Sequence, residues 1–116
     1  MLDNFGRKID YVRISVTDRC DLRCKYCMPD SNPHFYKKDE ILDLNKLKLI
    51  SEALIKLGIK KIRITGGEPL VRKDIIQYLE YLSSKLEQKL INELLITTNG
   101  TQLKKYSKII ANLGVK

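Results

Sequence analysis

The amino-acid sequence predicts an α/β fold of three consecutive strand–helix units. Three patterns carry this reading. Short segments with apolar residues at every second position alternate with longer segments whose apolar residues recur at helical spacing. Strands joined by helix-length connections are expected to run parallel, with the helices packed outside the sheet. Finally, Leu57-Gly58-Ile59-Lys60, which leads into the second strand, is echoed by Leu113-Gly114-Val115-Lys116 at the carboxyl end. The echo places a fourth strand next. A parallel sheet is normally covered on both faces or closed, and three units alone would leave the third strand as a raw edge. The chain therefore reads as a truncated (β/α) barrel.

The first strand is Tyr11 to Val16, where Val12, Ile14 and Val16 alternate with Arg13 and Ser15. The cysteine-bearing segment follows directly, then Met28-Pro29-Asp30-Ser31-Asn32-Pro33, whose prolines exclude helix. Asp43 is placed to N-cap a helix with Leu47, Ile50, Leu54 and Leu57 on one face and Gly58 as its stop. The second strand, Lys61 to Thr65, breaks at Gly66-Gly67-Glu68-Pro69. A helix over 73–89 follows, with Ile75, Leu79, Leu82 and Leu86 on one face. The third strand, Glu93 to Thr98, stops at Asn99-Gly100. The last helix, 102–113, carries Leu103, Tyr106, Ile110 and Leu113.

Alternation also assigns faces. If Val12, Ile14, Val16, Ile62, Ile64, Leu94 and Ile96 meet the helices, then Arg13, Ser15, Arg63, Thr65, Leu95, Thr97 and Asn99 share the opposite face. Complete eight-stranded barrels fill that side with branched apolar residues. A face with two arginines and several hydroxyls instead suits an anionic, hydrogen-bonding ligand. The strand carboxyl ends bring the cysteine loop, Gly66-Gly67-Glu68-Pro69 and Asn99-Gly100 to one rim, where parallel α/β folds place their active sites. After a strand and before a helix, Gly66 and Gly67 let backbone approach a ligand, and Glu68 can accept hydrogen bonds from an ammonium group.

All three cysteines, Cys20, Cys24 and Cys27, lie within eight residues. Thiolates at this spacing suit a soft metal centre. A [4Fe-4S] cluster normally takes four cysteines, so three would leave one iron open to a ligand that is not protein. The other reading is a Cys3His zinc site completed by His34, the only histidine.

At 116 residues the chain is one domain by length. The clustered, odd cysteine count does not suit a disulfide framework. No segment approaches the ~18 apolar residues of a membrane span, and a soluble, cytoplasmic protein is expected. The net charge of +8 suits nucleic acid, anionic lipid or a phosphorylated small molecule. With no Trp and with scattered tyrosines, no base-stacking platform is evident, so nucleic acid is not expected. One histidine cannot assemble a Ser/His/Asp or Cys/His nucleophile set, and no P-loop or dinucleotide glycine motif is present.

Cys-x3-Cys-x2-Cys after a strand, with Tyr26 before the last cysteine and Gly66-Gly67-Glu68-Pro69 ending the next strand, resembles the radical S-adenosylmethionine superfamily. Residues 13–20, Tyr26-Cys27-Met28-Pro29, residues 62–70 and Thr97-Thr98-Asn99-Gly100 resemble in particular its branch that cyclises GTP in molybdenum cofactor synthesis. The resemblance implies that the chain is the first three units of a partial (β/α)6 TIM-like barrel, with the rest of the barrel absent. Cys20, Cys24 and Cys27 would hold a [4Fe-4S] cluster whose open iron binds S-adenosylmethionine. An electron from a cellular donor would then cleave that cofactor to a 5′-deoxyadenosyl radical.

By the same resemblance Tyr26, Gly66, Gly67 and Glu68 would bind S-adenosylmethionine, while Arg13, Arg63 and Thr97 would contact GTP. Family members are longer and carry a second cysteine triplet that binds guanine. This chain has no further cysteine, so a second [4Fe-4S] cluster and full activity are expected only with the missing carboxyl-terminal half. Asp21 stands where the family usually has Asn, a small polar change between ligands. A peptide-modifying or heme-pathway relative with the same front half is the enzyme alternative, and a zinc-binding, basic RNA-binding module is the alternative from another class.

Overall fold

A computed structural model of the chain describes residues 1–22 and 34–116. Among these, three parallel strands, β1 (Tyr11–Ser15), β2 (Lys61–Thr65) and β3 (Glu93–Ile96), lie in the order β1-β2-β3. Helices α1 (Leu44–Lys56), α2 (Ile75–Glu87) and α3 (Leu103–Asn112) alternate with them, so the expected strand–helix succession is present.

Both ends of α1 have a local cause. Asp43 caps α1 by accepting the Lys46 N–H at 2.8 Å. Gly58 follows with φ +100°, a left-handed turn that glycine adopts without a Cβ clash. Helix α2 begins at Ile75 rather than at position 73, because Pro69–Val71 form a short 3-10 turn that ends at the extended Arg72. Arg72 bonds Asp74 at 2.5 Å and the Val16 carbonyl at 2.7 Å, which ties the start of α2 to the end of β1. This guanidinium contact holds the Asp74 carboxyl below its usual range.

All three helices pack on one face of the sheet. Ile14, Val16, Ile62, Ile64 and Leu94 are buried with Leu47 of α1, Ile75, Tyr78, Leu79 and Leu82 of α2, and Ile110 of α3. The alternation of the strands is thus realised. The register sets Ile14, Ile64 and Ile96 side by side on this face, and Arg13, Arg63 and Leu95 on the other.

Helix α1 departs from expectation. Its inward face is Leu44, Leu47, Ser51, Leu54 and Ile55, whereas Ile50 and Leu57 are exposed. A small polar residue displaces the apolar stripe because Ser51 Oγ lies 2.6 Å from the buried Tyr78 hydroxyl and also donates to the Leu47 carbonyl at 2.8 Å. Tyr78 can be wholly buried only if its hydroxyl finds a partner.

Strand β3 ends at Ile96, two residues before the expected Thr98, because Thr98 and Asn99 turn to bond Glu68. Its outer edge is not bare. Lys116 N donates to Leu94 O and Ile96 N donates to Lys116 O, both at 2.9 Å, in a parallel bridge of Val115 with Leu94. These residues lie where the echo places a fourth strand.

The opposite chemistry of neighbouring positions on β2 is directly testable. Ile62→Ala should cost about 2 to 5 kcal/mol in urea unfolding through the cavity it leaves against the helices. Arg63→Ala, on the uncovered face, should stay within about 1 kcal/mol of the parent.

Candidate functional site

The hydrogen bonding between β1 and β2 runs on past the strands and builds the rim. Val16 N donates to Thr65 O at 3.0 Å, Gly67 N to Thr17 O at 2.8 Å and Glu68 N to Arg19 O at 2.8 Å. Two glycines are needed here. A Cβ on Gly66 would collide with the Thr17 carbonyl oxygen, and one on Gly67 with that of Arg19. The close approach that the glycine pair permits in this structure is therefore to the chain's own backbone, which holds the loop entering the cysteine segment.

Glu68 is completely buried. Its Oε1 accepts from Leu70 N at 3.1 Å and Thr98 Oγ1 at 2.7 Å, and its Oε2 from Asn99 N at 2.6 Å. The carboxylate thus joins the β2 loop to the β3 loop, with acceptor capacity remaining on Oε2.

The third link joins the β3 loop to the cysteine loop. Asn99 Nδ2 donates to Asp21 Oδ1 at 2.8 Å and lies 3.5 Å from Cys20 Sγ. Thr101 Oγ1 and, at 3.3 Å, Gln102 Nε2 donate to Asp21 Oδ2. These bonds, led by those from Thr101 and Asn99, keep the Asp21 carboxyl below its usual range. From the sequence alone Asp21 is only a small polar change within the cysteine loop. Its partners are 78 to 81 residues away, so no local pattern could have found them.

At the base of the same loop, Tyr36 N donates to Asp18 Oδ2 at 2.6 Å, and the Arg19 guanidinium lies 5.3 Å from the Phe35 ring centroid. Residues on either side of the cysteine segment are thereby tied together. Cys24, Tyr26 and Cys27 fall outside the described residues. Of the proposed cluster ligands only Cys20 is described, and it is half-buried; His34, which the zinc reading would add, is exposed.

The expected anion-binding residues come together on the uncovered face. Arg13 and Arg63 are register partners on adjacent strands. Arg63 donates from Nη1 to Thr97 Oγ1 at 3.3 Å and from Nε to the Tyr11 hydroxyl at 2.8 Å. Tyr11, not singled out from sequence, thus orients the guanidinium. Among the described residues, neither Arg13 nor Arg63 forms an ion pair with a carboxylate. Like charges opposite one another in a sheet are unfavourable, and an anion bound between them would offset that repulsion.

A recess of about 490 Å³ lies elsewhere, lined by Thr17, Arg19, Lys38, Asp43, Arg72 and Asp74. Arg72 there is already committed to Asp74 and Val16, so charge alone does not make it a second anion site.

Residues 14–116 match the sequence model of the radical SAM superfamily. The chain belongs to the radical SAM superfamily. All 116 residues also align with curated relatives named GTP 3′,8-cyclase: 49% identical to that of Bradyrhizobium diazoefficiens, 48% to that of Erythrobacter litoralis and 47% to that of Mesorhizobium japonicum. The matched region is 33%, 34% and 35% of those proteins respectively, so the chain spans about a third of their length.

Among the described residues, Cys20 fits the iron–sulfur cluster that the family implies. A cysteine sulfur facing an amide donor is suited to a thiolate, and hydrogen bonds to cluster sulfurs are common in iron–sulfur sites. The rim's backbone ladder also makes Gly67 a sensitive position. Gly67→Ala should lower the thermal midpoint more than Glu68→Gln, which itself should cost about 1 to 3 kcal/mol by setting an amide N–H against a backbone N–H. Calorimetry of the two variants checks the order.

Proposed function

We propose that this chain is the amino-terminal part of a radical SAM core whose complete form converts GTP to (8S)-3′,8-cyclo-7,8-dihydroguanosine 5′-triphosphate in molybdenum cofactor synthesis. The observation that carries the reading is the convergence, at the carboxyl ends of parallel strands, of Cys20 beside Asn99 with the Arg13, Arg63 and Thr97 group on the adjoining open face. Similarity to proteins named GTP 3′,8-cyclase supports the substrate. The complete form would be a partial (β/α)6 barrel in the cytoplasm, fed by a cellular electron donor. No described helix is long and apolar enough to cross a membrane.

In this reading Cys20, Cys24 and Cys27 hold a [4Fe-4S] cluster. Such a cluster, with S-adenosylmethionine bound, would supply one-electron reductive cleavage, the electron coming from the cellular donor and methionine leaving as the second product. The chain's own groups bind and orient. Tyr26, Gly66 and Gly67 would border the cofactor, and Glu68, wholly buried among Leu70, Thr98 and Asn99, would serve it by holding the rim loops in place. Arg13 and Arg63 bind triphosphate oxygens, a task suited to guanidinium because it stays charged and pairs bidentately. Thr97 and Tyr11 hold Arg63 in place for that contact.

Metal analysis tests the reading first. Anaerobic reconstitution should give about four irons and four sulfides per chain, with Cys20→Ala lowering occupancy sharply; stoichiometric zinc without sulfide would overturn it in favour of a zinc module. In a protein extended to the length of the relatives, Arg63→Ala should weaken GTP binding by about 1.5 to 3 kcal/mol with the cluster intact, as read by calorimetric titration.

A further inference from the structure

We propose that Asp21 is a positioning residue that aims the Asn99 amide at the sulfur of Cys20 and so tunes the reduction potential of a cluster held there. The inference rests on the cluster reading above and extends it to a residue outside the ligand set. The geometry carries it. Asn99 is held from both ends: its Oδ1 accepts Thr101 N at 3.0 Å, and its Nδ2 donates to Asp21 Oδ1 at 2.8 Å. Those partners settle which end of the amide is nitrogen, because a backbone N–H must meet the oxygen and a carboxylate must meet the NH2. With one amide proton on Asp21, the other is left for Cys20 Sγ at 3.5 Å.

Asp21 is in turn fixed by Thr101 Oγ1 and Gln102 Nε2 on its second oxygen. A carboxylate can serve these donors at once because it accepts on both oxygens. An N–H aimed at a ligating sulfur stabilises the electron-rich state and shifts the potential upward. Removing Asp21 also removes a negative charge, which shifts the potential in the same direction as the native bond and so obscures a single-variant comparison. The indirect role therefore appears only as coupling between two substitutions.

The test is a double-mutant cycle on the chain reconstituted anaerobically, read by redox titration of the cluster's electron paramagnetic resonance signal, with iron and sulfide counts confirming loading. Asn99→Ala should move the midpoint to more negative potential in the parent, and should leave it unmoved in an Asp21→Ala background. Equal shifts in both backgrounds, or none in either, would overturn the proposal. A second arm needs no cluster. In the metal-free chain, nuclear magnetic resonance should show the Asn99 side-chain NH2 protons exchanging at least tenfold faster in Asp21→Ala than in the parent. An unchanged rate overturns the positioning role whatever the metal content. Faster exchange in Asp21→Ala, together with a parent chain that assembles no iron–sulfur cluster, would retain the positioning contact and overturn the cluster reading with its redox consequence.

Discussion

The Glu68 carboxylate is the point on which the rim depends. It is fully buried and bridges Leu70 on its own loop to Thr98 and Asn99 on the next. A buried carboxylate is tolerated only where hydrogen bonds replace the water it has lost. This requirement pulls the β3 loop inward, ends β3 at Ile96 and brings the Asn99 side chain toward Cys20 and Asp21. The glycines before it serve the same end, because only their lack of Cβ lets Gly67 and Glu68 donate to Thr17 and Arg19. Three loops distant in sequence thus become one connected edge.

That edge separates two kinds of chemistry. On the helix side, branched apolar residues from all three strands pack with Leu47, Ile75, Tyr78, Leu79, Leu82 and Ile110. On the other side, Arg13 and Arg63 stand in register, with Thr97 and Tyr11 steadying Arg63. The apolar face stabilises the fold whatever the ligand does, whereas the two arginines leave like charges opposed. Such an arrangement is intelligible if the face meets an anion, as a nucleotide triphosphate would supply in the function proposed.

Much of the architecture was legible in the sequence because backbone periodicity is a local property. Alternation in 12–16, 61–65 and 93–96 assigned strand faces, and Asp43 and Gly58 marked the ends of α1. Where the reading slipped, a distant partner decided the matter. The pairing of Ser51 with Tyr78, 27 residues on, rotated the buried stripe of α1 away from Ile50 and Leu57. The contact of Arg72 with Val16 lies behind the later start of α2.

The candidate site divides in the same way. The shared face of Arg13, Arg63 and Thr97 follows from alternation once their strands are parallel, and the cysteine spacing suits a soft metal centre. Tyr11 as a partner of Arg63, Glu68 as a buried bridge and Asp21 as an acceptor for Asn99, Thr101 and Gln102 do not follow from any spacing. The sequence by itself determined which residues face which side of each strand, because that depends on a two-residue repeat written in the chain. Only the tertiary structure decided which polar side chains meet across the rim, because hydrogen bonds between groups many residues apart depend on the register of the sheet and on the loops that its buried carboxylate draws together.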